Sequence, residues 1–244
     1  MSWENPGMNL RLIILPLLVS GCFAALPPQT NAQSSLDAGD PSATAASANL
    51  AQSNLTYSRP TQITKIRNYA FDAFGPLPIG AAAVVAGLNQ EDNSPPEWKQ
   101  GAEGYSRRFG SDLAIAAVGT TTRYALSEAF REDALYYRCE CKGIFPRLSH
   151  AVISTLTARR GEEGHLVFSV PALIAPYAGS MTAVYGWYPS RYGAKDAFRM
   201  GNYTMLGYVG ANISLEFFHS APRSLVSRMH LNNRHGAPDS GGNR

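Results

Sequence analysis

The chain has 244 residues, of which 45% are hydrophobic and 16% are charged, a composition that supports one globular domain with a core and unstructured flanks. The formal net charge is only +3 and the 21 Lys and Arg residues are dispersed, which excludes a nucleic-acid surface built on a continuous basic patch. The low charge content and the 22 Gly residues favour closely packed helices, either in a tight bundle or against lipid.

The first residues are typical of a targeting segment. Arg11 precedes an apolar run, residues 12–19, that is too short for a bilayer-spanning helix of roughly 20 residues. The small residues before Cys22 resemble the lipobox of bacterial lipoproteins, in which the cysteine is lipidated and becomes the new N-terminus. The alternative is ordinary signal cleavage after Ala32. Both interpretations predict an exported protein, and residues 1–32 are assigned to the signal segment.

Composition divides the rest of the chain into three segments. Residues 33–62 are rich in Ser, Ala, Asn and Gln with few aromatic residues, and we expect them to form a disordered tether. Residues 221–244 end in a polar, Gly-rich sequence and are expected to form a disordered tail. The helical domain is therefore predicted at residues 63–220.

Helix signals in this domain predict an all-α fold, a compact bundle of about six helices after the cleaved signal segment. Gly75 and Pro76 are expected to kink the first helical stretch. Residues 94–97 form a Ser-x-x-Glu capping box, which predicts a helix start. Residues 166–189 lack charge over a length that could span a bilayer, although a buried core helix fits equally well. The predicted helical stretches are residues 64–88, the helix opened by the capping box, residues 111–130, a helix from residue 146 or 149 to residue 160, and residues 166–189 and 194–218.

Cleavage at either position leaves Cys139 and Cys141 in an oxidising compartment. Their Cys-x-Cys spacing permits a strained disulfide, a pair of free thiols, or metal and redox chemistry. A zinc site needs four ligands, and no second Cys or His pair lies nearby at finger-like spacing. The histidines other than His150 do not pair at helical metal-ligand spacing, and none of them, including His235, is assigned a role. We therefore predict no metal site and no cofactor.

One stretch carries a family resemblance. Residues 145–151 read Phe-Pro-Arg-Leu-Ser-His-Ala and are similar to the Phe-Pro-Ser-Gly-His-Ala motif of the type 2 phosphatidic acid phosphatase superfamily. Members of that family are six-helix bundles with two basic residues upstream of the motif and a Ser-Arg pair, a His and an Asp downstream. In this chain Arg131 and Arg138 stand upstream, and Arg191 and Asp196 stand downstream. The resemblance extends over most of the helical domain.

The resemblance implies a role for each of these residues. Arg131, Arg138 and Arg191 would bind phosphate oxygens, whose geometry the forked donors of arginine match. His150, expected at a helix N-terminus that favours anions, would protonate the leaving alcohol, and Asp196 would complete the catalytic set. Asp196 also fits the first turn of a helix, where negative charge is favoured.

The family's nucleophilic histidine is replaced here by Tyr192. We therefore expect an exported protein of the cell envelope, on the periplasmic side, that binds phosphate or phospholipid head groups with weak or no catalysis. The expected partner is a membrane lipid or a phosphate-bearing small molecule. Two other functions fit the sequence: an active phosphatase on lipid phosphomonoesters, and a structural envelope lipoprotein.

Overall fold

A computed structural model describes residues 57–139, 141–217 and 235. The predicted signal peptide with Cys22, most of the tether, and the tail other than His235 lie outside the described residues. In chain order the elements are α1 (Gln62–Phe74), α2 (Pro76–Glu91), a 3-10 turn (Pro96–Trp98), α3 (Gly101–Ala129), β1 (Glu132–Asp133), α4 (Ile144–Ile153), β2 (Thr157–Arg160), β3 (His165–Phe168), α5 (Val170–Gly186) and α6 (Ala194–Phe217).

The described part of the chain is mostly helical, as predicted. The all-α prediction included no strands, and in this respect it is wrong. β1, β2 and β3 form an antiparallel three-stranded sheet in that order. The helix predicted to reach Arg160 ends at Ile153, and Thr157 then pairs with Phe168 in the sheet. The turn between β2 and β3 contains two glycines with positive φ, a conformation that other residues rarely adopt. Strands of two to four residues are too short to show an alternating pattern in the sequence.

The start of α3 also differs from the prediction. The helix begins at Gly101 and runs through Gly110, where a break was expected, because one helical glycine costs only about 1 kcal/mol and packing along the helix outweighs it. The predicted capping box at Ser94 is not formed, because only a 3-10 turn follows it, with Pro95 as the N-cap and no side-chain cap hydrogen bond. The buried Arg108 side chain donates to the carbonyl oxygens of Ser94, Pro95 and Lys99, so tertiary contacts determine the path of this segment.

Two helix starts follow the local signals in the sequence. The Ser169 hydroxyl accepts a hydrogen bond of 3.2 Å from the Ala172 amide and caps α5, with Pro171 in the first turn. Gly75 separates α1 from α2, and Pro76 is the first residue of α2. A Cβ at Gly75 would lie 2.2 Å from the Phe71 carbonyl oxygen, so the position has no room for a side chain. The interruption predicted at this point is therefore present.

α3 is the central helix of the fold. It packs against α1 and α2 on one side and against α5 on the other, and α5 in turn packs against α6. A Cβ added at Gly179 of α5 would lie 2.4 Å from the Ile115 carbonyl oxygen of α3, so the two backbones are in direct contact. The charge-free stretch that could have been a membrane span is thus packed between two other helices.

The long helices have two distinct ends. At the Trp98 end, the N-termini of α3 and α6 meet the C-terminus of α5, and the Trp187 indole donates to the Ser111 hydroxyl at 2.8 Å. At the sheet end, the C-termini of α3 and α6 meet the N-terminus of α5, and the Ser169 hydroxyl donates to Glu132 at 2.6 Å. Each candidate residue can be assigned to one of these ends.

The described residues have a small, alanine-rich interior and a surface with many large apolar side chains. More than half of the buried hydrophobic residues are alanines, whereas large residues such as Phe145, Ile66 and Tyr185 are exposed. Among the described residues, one helical run, Gln62–Glu91, is long enough and apolar enough to cross a membrane.

Candidate functional site at the sheet end

The structure separates the five residues that the phosphatase resemblance brings together. Arg131, Arg138 and His150 lie at the sheet end, whereas Arg191 and Asp196 lie at the Trp98 end. Asp196 is in the first turn of α6, while His150 approaches a residue of its last turn, Glu216. The two positions on α6 are about 20 residues apart, or roughly 30 Å along the axis. One site containing all five side chains is therefore not formed.

Both residues at the Trp98 end have local structural partners. The Asp196 carboxylate accepts a hydrogen bond of 3.1 Å from the Gly193 amide and another from Arg199, so it stabilises the N-terminus of α6. The Arg191 guanidinium forms an ion pair of 2.8 Å with Glu97. These contacts agree with the helix-start interpretation of Asp196.

His150 lies in the last turn of α4 rather than at a helix N-terminus, and that expectation is wrong. The helix begins at Ile144, six residues before His150. The ring lies between two hydroxyls, with Nδ1 at 3.3 Å from Tyr136 Oη and Nε2 at 3.3 Å from Ser154 Oγ. Its surroundings are hydroxyl groups and one carboxylate.

That carboxylate, Glu216, is the centre of a buried polar network that the sequence analysis did not identify. The side chain is fully buried, and its oxygens accept hydrogen bonds from Tyr136 Oη at 2.6 Å, the Cys139 amide at 3.0 Å and Arg147 Nε at 2.8 Å. His150 Nδ1 lies 3.9 Å from the same carboxylate. Glu216 is the only charged residue in α6 after Arg199, and this isolated charge is the signal that could have revealed it.

The network holds the loop before α4 and α4 itself against the end of α6. Burial, followed by the hydrogen bond to Glu216, raises the pKa of Tyr136 above its ordinary value, so the phenol keeps its proton and remains a donor at neutral pH. The Arg147 guanidinium also lies over the Phe217 ring, with its central carbon 4.5 Å from the ring centroid. Arg147 and His150, on the inward face of α4, therefore both have polar partners inside the domain.

The outward face of α4 is apolar, which is the reverse of the usual arrangement on a soluble domain. Phe145 is 82% exposed, Ile144 70% and Ile153 60%, and Leu148 and Val152 are exposed on the same face. These five residues define the α4 apolar face. The helix thus directs its arginine and histidine inward and its large apolar side chains into the surroundings.

Basic residues occur at the sheet end, to which the α4 apolar face also belongs. Lys142, two residues before the helix, is exposed, and Arg131 is exposed just after α3 with φ of 54°. Arg138 is half-buried, and its charge acts on the Tyr136 hydroxyl. Cations and an apolar surface therefore occur together at the sheet end.

Cys139 and Cys141 form a disulfide, which was one of the three states that their spacing permitted. The bridge lies within the loop between Tyr136 and α4, and the Cys139 amide donates to Glu216. The disulfide and the carboxylate therefore constrain the same loop.

A second buried carboxylate lies at the Trp98 end. Burial raises the pKa of Asp112 to about 7, although a hydrogen bond from Asn89 and the charge of Arg108 oppose the shift. One oxygen of Asp112 is buried without a hydrogen-bond partner. Nearby, Trp98 and Trp187 contribute to a shallow groove of about 330 Å³.

Within the described residues, no three His, Cys, Asp or Glu side chains are grouped closely enough to hold a metal ion. Comparison with known proteins gives no significant match: no family model fits the chain, and no curated protein or solved structure is significantly similar to it.

Proposed function

We propose that this is an exported protein of the cell envelope, anchored by a lipid on Cys22, whose helical bundle is a degenerate relative of the type 2 phosphatidic acid phosphatases. It binds phospholipid head groups at the membrane surface, with weak or no catalysis. The observation that carries the proposal is the α4 apolar face, which is exposed next to basic residues at the sheet end.

The α4 apolar face supports contact with a bilayer because apolar surface leaves water when it enters the boundary between head groups and acyl chains. Full burial of one large apolar side chain contributes roughly 1.5–3 kcal/mol, and Phe145 alone exposes 82% of its surface.

The basic residues supply the charge complementarity. Lys142 is exposed two residues before α4, and Arg131 is exposed at the same end of the long helices, so anionic lipid phosphates would meet positive charge once the helix entered the interface. Each basic residue near an anionic membrane surface contributes about 1 kcal/mol of attraction. Arg131 and Arg138 thus keep the phosphate-binding role that the resemblance implies, whereas Arg191 is at the other end of the helices.

The expectation of weak or no catalysis agrees with the distribution of the catalytic residues. A nucleophile, an acid and the phosphate-binding cations must converge on one phosphorus atom. Here Tyr192 and Asp196 are at the Trp98 end, and His150 is at the sheet end.

Vesicle flotation tests the proposal. The purified protein carrying Cys22→Ser, which cannot be lipidated, is mixed with phosphatidylcholine vesicles with and without phosphatidylglycerol. We expect flotation that is stronger with the anionic lipid, and a roughly tenfold to hundredfold loss of partitioning in Phe145→Ser. Phe198→Ser, which removes a phenylalanine 53% exposed at the Trp98 end, is the matched control and should float normally.

A phosphate-release assay on lipid and soluble phosphomonoesters completes the test. We expect no turnover by the protein or by its His150→Ala variant. Turnover that His150→Ala abolishes would instead establish an active phosphatase. Absence of both turnover and vesicle binding would favour a structural envelope lipoprotein and would refute the proposed function.

A further inference from the structure

The C-terminal tail, to which the sequence analysis assigned no role, contributes one side chain to the interior of the domain. The His235 side chain is only 9% exposed. Its Nδ1 accepts a hydrogen bond of 2.9 Å from the Tyr136 amide, and its Nε2 lies 3.4 Å from Asp72 Oδ1 of α1. An imidazole separated by nearly one hundred residues from Tyr136 therefore joins two elements of the helical domain.

The groups around this ring form a slot with a defined polarity. On one side, Asp72 offers a carboxylate whose second oxygen already accepts a hydrogen bond of 2.7 Å from Tyr124 Oη of α3. On the other side, the Tyr136 amide offers a donor, and Tyr136 is itself only 3% exposed. The slot thus presents an acceptor and a donor facing each other across the width of one ring.

A neutral imidazole matches this polarity. One of its nitrogens donates while the other accepts, so it can bind Asp72 and the Tyr136 amide at the same time. A lysine or arginine side chain has donors only and would leave the amide without an acceptor. A carboxylate would place a second negative charge beside Asp72. The geometry therefore selects a neutral heteroaromatic ring with one N–H.

We propose that the slot formed by Asp72, Tyr124 and the Tyr136 amide is an imidazole-binding site, and that His235 occupies it as an intramolecular ligand. The C-terminal tail is fastened to the domain through this ring. Occupancy of the slot also bears on the Glu216 network, because the Tyr136 residue whose amide binds His235 uses its hydroxyl to bind Glu216. The inference is independent of the proposed lipid binding, since it depends on contacts inside the domain.

Chemical rescue tests the site in the full chain. We expect His235→Ala to lower Tm by roughly 2 to 12 °C, because the buried Tyr136 amide loses its acceptor. Millimolar imidazole should raise the Tm of His235→Ala towards the wild-type value and leave the wild type unchanged. His230→Ala, which removes another histidine of the same tail, is the matched control and should keep the wild-type Tm.

The rescuing molecule can be varied to test the polarity of the slot. 1-Methylimidazole retains an acceptor nitrogen but has no N–H to donate to Asp72, so it should restore less of the Tm than imidazole does. The proposal is overturned if His235→Ala melts like His230→Ala, or if imidazole shifts the variant and the wild type equally.

A measurement on the wild type covers the case in which His235→Ala does not fold even with imidazole. Nitrogen NMR of the labelled histidine rings should find His235 at neutral pH in a single tautomer, with the proton on Nε2 and a free lone pair on Nδ1. A His235 ring that averages between tautomers, like a histidine in water, would overturn the proposal. These experiments contain no lipid, so their failure is distinguishable from failure of vesicle binding.

Discussion

Replacing Glu216 with Gln removes the negative charge from the buried network while keeping the shape of the side chain. The Glu216 oxygens accept from Tyr136, Cys139 and Arg147, and an amide group can accept at only one of its two terminal atoms. Breaking a buried ion pair costs about 3–5 kcal/mol when both partners are fully buried. The Arg147 side chain is 29% exposed and can be partly hydrated, so we expect Glu216→Gln to lower the free energy of unfolding by about 2–4 kcal/mol.

Thermal and urea unfolding followed by circular dichroism measure this change. At about 2–4 °C per kcal/mol for a domain of this size, the Tm should fall by roughly 4–16 °C. Glu103→Gln is the matched control, because Glu103 pairs with Arg107 at 2.6 Å but the two side chains are 70% and 55% exposed. Such an exposed pair contributes less than about 1 kcal/mol. If the two variants unfold at the same urea concentration, burial does not give the Glu216 network its strength, and the reasoning is refuted.

Three further predictions follow from individual contacts. Gly179→Ala should destabilise the protein by about 1–3 kcal/mol, because its Cβ would meet the Ile115 carbonyl oxygen. The control Gly87→Ala, which has open space around its Cβ, should stabilise the protein by up to about 1 kcal/mol. Equal urea midpoints for the two variants would contradict the tight α3–α5 contact. Burial raises the pKa of Asp112 to about 7, so between about pH 4 and 7 the folded state binds a proton that the unfolded state releases, and the free energy of unfolding should fall as pH rises. Asp112→Asn should remove this pH dependence and raise the free energy of unfolding by up to about 4 kcal/mol at pH 8. An unchanged pH dependence in the variant, measured by denaturation at several pH values, would refute the assignment. The raised pKa of Tyr136 should make stability decline above about pH 10, where the unfolded phenol ionises first, and Tyr136→Phe should show a shallower decline in alkaline titration.

Much of the helical architecture was predictable from local signals. Three features appear near their predicted positions: the interruption at Gly75 and Pro76, the second half of α3, and the charge-free helix α5. Each depends on a proline or on an apolar run, and both act over a few residues. The sheet was not predictable, since its strands are short and Glu132 pairs with Arg160 across a long sequence separation. Arg108 illustrates the same limit, because the carbonyl groups that it binds become neighbours only after the chain has folded back.

The candidate site was predictable only in part. The motif identified His150, but the pattern could not show that Asp196 would lie at the opposite end of α6, because residue spacing in a sequence does not determine which helix ends meet. Glu216 and His235 were missed for the same reason. The partners of each residue come from distant parts of the chain, and only the isolated charge of Glu216 in α6 was visible in the sequence.

The sequence by itself predicted the export signal, the mostly helical character of the domain and the interruption near Gly75 and Pro76. The last two are confirmed, since each depends on residues within one or two turns. Tertiary structure alone decided that α4 turns Arg147 inward and Phe145 outward. That orientation depends on a fully buried carboxylate from α6, which binds Arg147 of α4 and leaves the apolar face of the helix to the surroundings.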